Sequence, residues 1–124
     1  MTSFKTFEEI DVWKEARQLV QAIRKICKRP ACIKDFAFVD QITRSARSIS
    51  ANIAEGSDAH SHAQFITFLG YAKRSAAETR SHLYDALDEN YVSKKEFEEL
   101  TEQTKKIGRM IGGLIKYLQQ QRKT

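Results

Sequence analysis

Proline occurs once in 124 residues and glycine five times, so little in the chain stops regular structure from running long. Cysteine occurs twice. The C-x4-C spacing of Cys27 and Cys32 has no second pair and no histidine nearby, which argues against a zinc site and for buried thiols. No apolar run approaches the roughly 18 residues a membrane span needs. The opening MTSFKTFEEIDVW has no continuous apolar core and carries early acids, so it does not read as a secretory signal. A cytoplasmic protein with no membrane partner is the expectation.

What is present is charge and periodic hydrophobicity. Hydrophobic residues make up 41% and charged residues 30% of the chain, the balance of one globular domain rather than a disordered one. The formal net charge is +5 and the pI is near 9.3, which favours acidic partners, nucleic acid first among them.

Four helical patterns and no strand pattern follow from the spacing of apolar residues. The first covers about 12–28, with Asp11 as its expected N-cap and Pro30 ending it. Ala16, Leu19, Val20, Ile23, Ile26 and Cys27 share one face. The second covers about 36–55, capped by Asp35, with Val39, Ile42, Ala46, Ile49 and Ile53 stepping by 3, 4, 3 and 4. Gly56 occupies the place of a left-handed residue closing this helix. The third covers about 61–90 behind a Ser61/Gln64 capping box, and the fourth about 93–121 behind Ser93/Glu96. Short links between long amphipathic helices predict an all-α, antiparallel up-down-up-down four-helix bundle.

The stretch SARSISANIAEG, residues 45–56, raises the question of a nucleophile. A reactive serine needs a base within reach and an oxyanion site, usually on a strained turn. Ser45, Ser48 and Ser50 have neither, so they read as small packing residues that bond back to the helix or across to a neighbour. Gly108 and Gly112, one turn apart in the fourth helix, predict a groove for close helix approach.

The longer run QITRSARSISANIAEG resembles the signature of the four-helix-bundle family encoded in intervening sequences of bacterial 23S rRNA genes, close to Q-I-R-R-A-A-x-S-I-x-x-N-I-A-E-G. Gln41, Ser45, Ile49, Asn52, Ile53, Ala54, Glu55 and Gly56 carry the match as packing positions. FEEIDVWKEARQL, FITFLGYAKRSAAE and RMIGGLIKYL agree with its flanking segments. Thr43 departs from the pattern where an arginine is usual, Gln64 replaces an acid, and Thr79-Arg80 replaces Leu-Glu. The resemblance implies a bundle assembled as a homo-oligomeric ring, commonly a pentamer. It also implies kinship with the ring-forming accessory proteins of diversity-generating retroelements, which engage nucleic acid and a reverse transcriptase.

Basic stripes supply the candidate RNA- or DNA-binding residues: Lys14, Arg17, Arg24 and Lys28 on the first helix, Arg44 and Arg47 on the second, and Lys105, Arg109 and Lys116, with Lys123, on the fourth. Such stripes can follow a phosphate backbone without reading sequence. Tyr71, beside Lys73 and Arg74, could stack a base, although packing is the plainer role. Phe4, Phe7 and Trp13 would close one bundle end. Acids gather between residues 85 and 102, at the end where the basic close of the first helix falls; complementarity within one bundle and a contact between subunits both fit, and the subunit contact is the favoured reading. The reading is of a non-enzymatic scaffold with no cofactor. Two alternatives stand beside it: a protein-partner adaptor without nucleic-acid affinity, and a metal-assisted hydrolase using Asp58, His60 and His62.

Overall fold

The structure, a computed structural model, describes residues 6–122. A 3-10 turn at Phe7–Glu9 leads into α1 (Asp11–Cys27), α2 (Pro30–Ile33), α3 (Phe36–Ser57), α4 (His62–Asp88) and α5 (Lys94–Arg122). No strand occurs among the described residues. The four long helices pack in a closed cycle, α1 on α3, α3 on α4, α4 on α5 and α5 back on α1. The result is a helical bundle, as the 3-and-4 spacing of apolar residues requires.

The predicted seams are the core. Ile42, Ala46, Ile49 and Ile53 of α3 are buried, as are Leu19 and Ile23 of α1 and Leu69 and Leu83 of α4. Leu100, Thr104, Ile107, Ile111 and Leu118 fill the α5 side. Each large apolar side chain contributes about 1.5–3 kcal/mol by leaving water. Val20, Val39, Phe68, Leu87, Phe97 and Leu114 lie only half-buried at the margins. Thr79 and Ala86, which the apolar count passed over, are buried.

The helix ends show which local signals hold. Asp35 accepts from the Phe38 N–H at 3.2 Å. Ser93 and Glu96 cap reciprocally, at 3.1 and 2.9 Å. Ser61 accepts from the Gln64 N–H at 3.2 Å, while the Gln64 side chain reaches the His60 N–H at 3.1 Å, one residue earlier than a standard box. Asp11 is not a cap: α1 begins on it, and Ile10 precedes it without a side-chain bond. α1 stops at Cys27, and Arg29 before Pro30 is extended at ψ 145°, as a residue before proline must be; the Pro30 ring also opens the one-turn α2, where a missing N–H costs nothing.

Gly56 also differs from expectation. It lies inside α3, no described glycine has a positive φ, and the left-handed residue is Asn90 at φ 61°. Asn90 closes α4: Tyr91 N–H donates to the Ala86 carbonyl at 2.8 Å and Asn90 N–H to Leu87 at 3.1 Å. Gly56 serves close packing instead. A Cβ there would stand 2.8 Å from Phe68 Cβ and 2.9 Å from Phe65 Cδ1. Gly108 and Gly112 do the opposite of what their spacing predicts, since a Cβ on either meets nothing within 4 Å.

One end of the bundle is tied by polar bonds within the chain. The Arg29 guanidinium grips both carboxylate oxygens of Glu96 and donates to the Tyr91 carbonyl at 3.1 Å. The Tyr91 hydroxyl donates to Asp35 at 2.6 Å. Glu96 is one of the acids expected to meet another subunit, and here it meets the basic close of α1 in its own chain. Cys27 and Cys32 are free and buried at this end, and burial pushes the Cys27 thiol up to about 12.

Candidate nucleic-acid interface

The serines of α3 show what the 45–56 stretch is for. Thr79 of α4, fully buried, shares its one hydroxyl proton between Ser45 Oγ at 2.9 Å and the Ser75 carbonyl at 2.8 Å. Ser75 donates to Ser48 Oγ at 2.9 Å, and Ser45 turns back to the Ile42 carbonyl at 3.1 Å. The Asn52 amide gives its protons to the Ser48 carbonyl at 2.8 Å and to Ser48 Oγ at 3.0 Å. This is a polar ladder between two helices, in which Ser45, Ser75 and Thr79 spend their protons on structural bonds and Ser48 accepts twice. It holds α3 against α4 and thereby sets which α3 residues point outward.

Arg44 and Arg47 are those residues. With Arg24 of α1 they line a groove of about 670 Å³ between α1 and α3. Phe7, Trp13 and Val20 from one side, and Ala51 and Ala54 from the other, make it apolar at the far end. Phe7 and Trp13 meet edge to face at 5.0 Å, which fixes the aromatic wall. Phe4 lies outside the described residues. Among the described residues no carboxylate pairs with Arg24 or Arg47, and Arg44 has only Asp40 at 3.5 Å, on an exposed stretch where such a pair is weak. Two helices therefore bring three guanidinium groups and a tryptophan to one groove.

A second groove, of about 440 Å³, runs between α4 and α5. It joins the predicted Lys105 and Arg109 to Lys73 and Arg80 over a floor of Ala76, Ala77, Gly108 and Gly112. Sequence reasoning named Lys73 only beside Tyr71 and did not place Arg80 among the cations; their spacing of seven residues along one helix face was the available signal. Arg109 is partly neutralised by Glu102 at 2.9 Å. The remaining predicted cations stay apart: Arg17, Lys28 and Lys116 are exposed outside both grooves, and Lys14 pairs with Asp11 at 3.9 Å. Lys123 lies outside the described residues. Lys106 ties α5 to Glu15 of α1 at 3.5 Å.

The acids collect elsewhere. Asp35, Asp85, Asp88 and Glu89 surround a hollow of about 400 Å³ with Gln41 and His82. His82 stands between Glu78 at 4.0 Å and Asp85 at 3.7 Å. Glu55, Asp58 and His60 line a cleft of about 710 Å³ with Phe7 and Phe68. His62 is not part of it, and among the described residues no group of three His, Cys, Asp or Glu side chains could hold a metal ion.

Comparison with known proteins rests on this same framework. The sequence profile of the 23S rRNA-intervening sequence protein family matches residues 8–113. The chain belongs to that family. Among solved structures it is similar to a protein of unknown function from the S23 ribosomal protein family of Bacteroides thetaiotaomicron. The two superpose with a TM-score of 0.78 at 28% identity, over 85% of this chain and 95% of that one. No curated protein matches. Within the 23S rRNA-intervening sequence family pattern, the signature residues divide by role here. Ser45, Ile49, Ile53 and Gly56 are buried, Asn52 and Ala54 half-buried, and Gln41 and Glu55 exposed. No helix among the described residues is long and apolar enough to cross a membrane.

Proposed function

We propose that this member of the 23S rRNA-intervening sequence family is a non-enzymatic, cytoplasmic scaffold that associates with nucleic acid, RNA above all, and works as a homo-oligomeric ring. The observation that carries the reading is the convergence of Arg24, Arg44 and Arg47 on one groove beside Trp13. Guanidinium groups grouped this way engage phosphates, and their binding releases counterions. The up-down-up-down order of the four long helices is part of the proposal. It is supported by the ties that bring the end of α1, the start of α3 and the α4–α5 turn together through Arg29, Asp35, Tyr91 and Glu96. A ring, pentameric as the family resemblance implies, would repeat the groove and multiply weak contacts.

Binding to labelled RNA at about 50 and 200 mM salt tests it. Three phosphate contacts on a single strand predict a fall of about 20-fold across that range. Replacing Arg24, Arg44 and Arg47 by Ala should flatten the dependence while leaving assembly and helix content intact. No binding at the lower salt overturns the reading. A second reading, a protein-partner adaptor, then gains, because Phe36 and Ile33 expose apolar surface at 78% and 47%.

A further inference from the structure

The groove of Arg24, Arg44 and Arg47 does not end at α3. Ser48 lines it and also lines a neighbouring hollow of about 530 Å³ between α3 and α4, with Asn52, Tyr71, Arg74, Ser75 and Glu78. The character of the surface changes across that ridge. On the α1 side it is cationic. On the α4 side it holds a planar platform: the Arg74 guanidinium sits 5.1 Å above the exposed Tyr71 ring, and Phe68 braces that ring edge-on at 5.8 Å. A guanidinium on an aromatic ring offers a flat face that nucleobases stack on, independent of their sequence.

Beside the Arg74 guanidinium, the platform carries acceptors that suit a base. Glu78 is exposed and brings a carboxylate, which repels the backbone but accepts from an amino group. The Asn52 amide nitrogen is committed to Ser48, so its remaining hydrogen-bonding atom is the carbonyl oxygen, another acceptor. Ser75 spends its proton on Ser48, and Ser48 Oγ already accepts from two donors. The hollow therefore presents the acceptors of Glu78 and Asn52, with the Arg74 guanidinium and the Ser48 hydroxyl proton as donors, beside a stacking face.

Resting on the nucleic-acid reading above, we propose that the ligand is single-stranded. Its phosphates lie on Arg24, Arg44 and Arg47, the strand crosses α3 at Ser48, and one unstacked base lies on the Tyr71–Arg74 platform. The acceptors of Glu78 and Asn52 favour a base with an exocyclic amino group, adenine, cytosine or guanine, over uracil. A duplex keeps its bases paired and stacked and reaches only the arginines.

The test is fluorescence anisotropy at low salt with labelled oligoadenylate, oligocytidylate and oligouridylate, and with an RNA duplex of equal length. Adenylate and cytidylate should bind more tightly than uridylate, and the single strands more tightly than the duplex. Tyr71→Ala should weaken adenylate binding roughly 5- to 100-fold and leave the duplex unaffected, the range expected for losing one base stack. Tyr71→Phe, which keeps the ring, should bind as the parent does. Far-ultraviolet circular dichroism of both variants guards against misfolding. If Tyr71→Ala binds adenylate like the parent, or the duplex binds as well as the strands, the platform is not a base site, while the arginine groove stands. If uridylate binds as tightly as adenylate, the acceptor preference is wrong. If nothing binds, both this inference and the functional reading fall.

Discussion

Gly56 and Gly112 are both helical glycines, and the structure predicts that the same substitution moves stability in opposite directions. Glycine in a helix interior is less favourable than alanine by about 1 kcal/mol, so either change to Ala gains that amount locally. At Gly112 nothing lies within 4 Å of the new methyl, so the gain stands alone. At Gly56 the methyl would sit 2.8 Å from Phe68 Cβ, 2.9 Å from Phe65 Cδ1 and 3.3 Å from the Phe65 carbonyl oxygen. A Phe ring can swing aside, but a Cβ is fixed to its backbone, so α3 and α4 must separate. That separation would strain the Ser45–Thr79 and Ser48–Ser75 bonds. Overpacking of this kind costs about 1–3 kcal/mol, which after the propensity gain leaves Gly56→Ala about 0–2 kcal/mol less stable than the parent. The propensity term is common to both variants, so their difference of about 1–3 kcal/mol isolates the steric cost. Urea unfolding followed by circular dichroism, with equal slopes in all three proteins, reads it directly. Gly56→Ala as stable as Gly112→Ala would refute the close-approach explanation of the signature glycine.

Two further outcomes follow from the polar ties. Thr79→Val keeps the shape of a fully buried side chain and deletes the bond to Ser45, which retains the Ile42 carbonyl as acceptor; a loss of about 1 kcal/mol in chemical denaturation is expected. The Arg29 bond holds Glu96 down to about 2, with the Ser93 N–H as a second cause. A depressed carboxylate stabilises the fold above its ordinary pKa, and that contribution is lost as the pH falls through about 2. Both partners are partly exposed, so the effect is about 1 kcal/mol or less. The stability gap between parent and Glu96→Gln should close on acidification from about pH 5 to pH 2, and a gap independent of pH would count against the clasp.

The all-helical class and the core seams were legible in the sequence because apolar spacing is a property of one helix at a time. Ile42, Ala46, Ile49 and Ile53 had to share a face whatever they packed on. Capping was legible for the same reason at Asp35, Ser61 and Ser93, where donor and acceptor lie within three residues. Asp11 and Gly56 failed because a residue type that suits a helix end also suits a helix interior, and only neighbouring elements decide between them.

The candidate site was legible only as a set of cations. Helical spacing put Arg44 and Arg47 on the outside of α3 but could not say that Arg24 faces them across a groove while Arg17 and Lys28 do not. It named Tyr71 and Arg74 without showing that the guanidinium lies over the ring, or that Ser48 joins their hollow to the arginines. The sequence by itself determined four long amphipathic helices, the caps of three of them and a basic surface, because these depend on residues a few positions apart. The tertiary structure alone decided which cations converge, which acid meets Arg29, and which glycine is crowded. Those facts depend on the distance between helices, and that distance is set by side chains far apart in the chain.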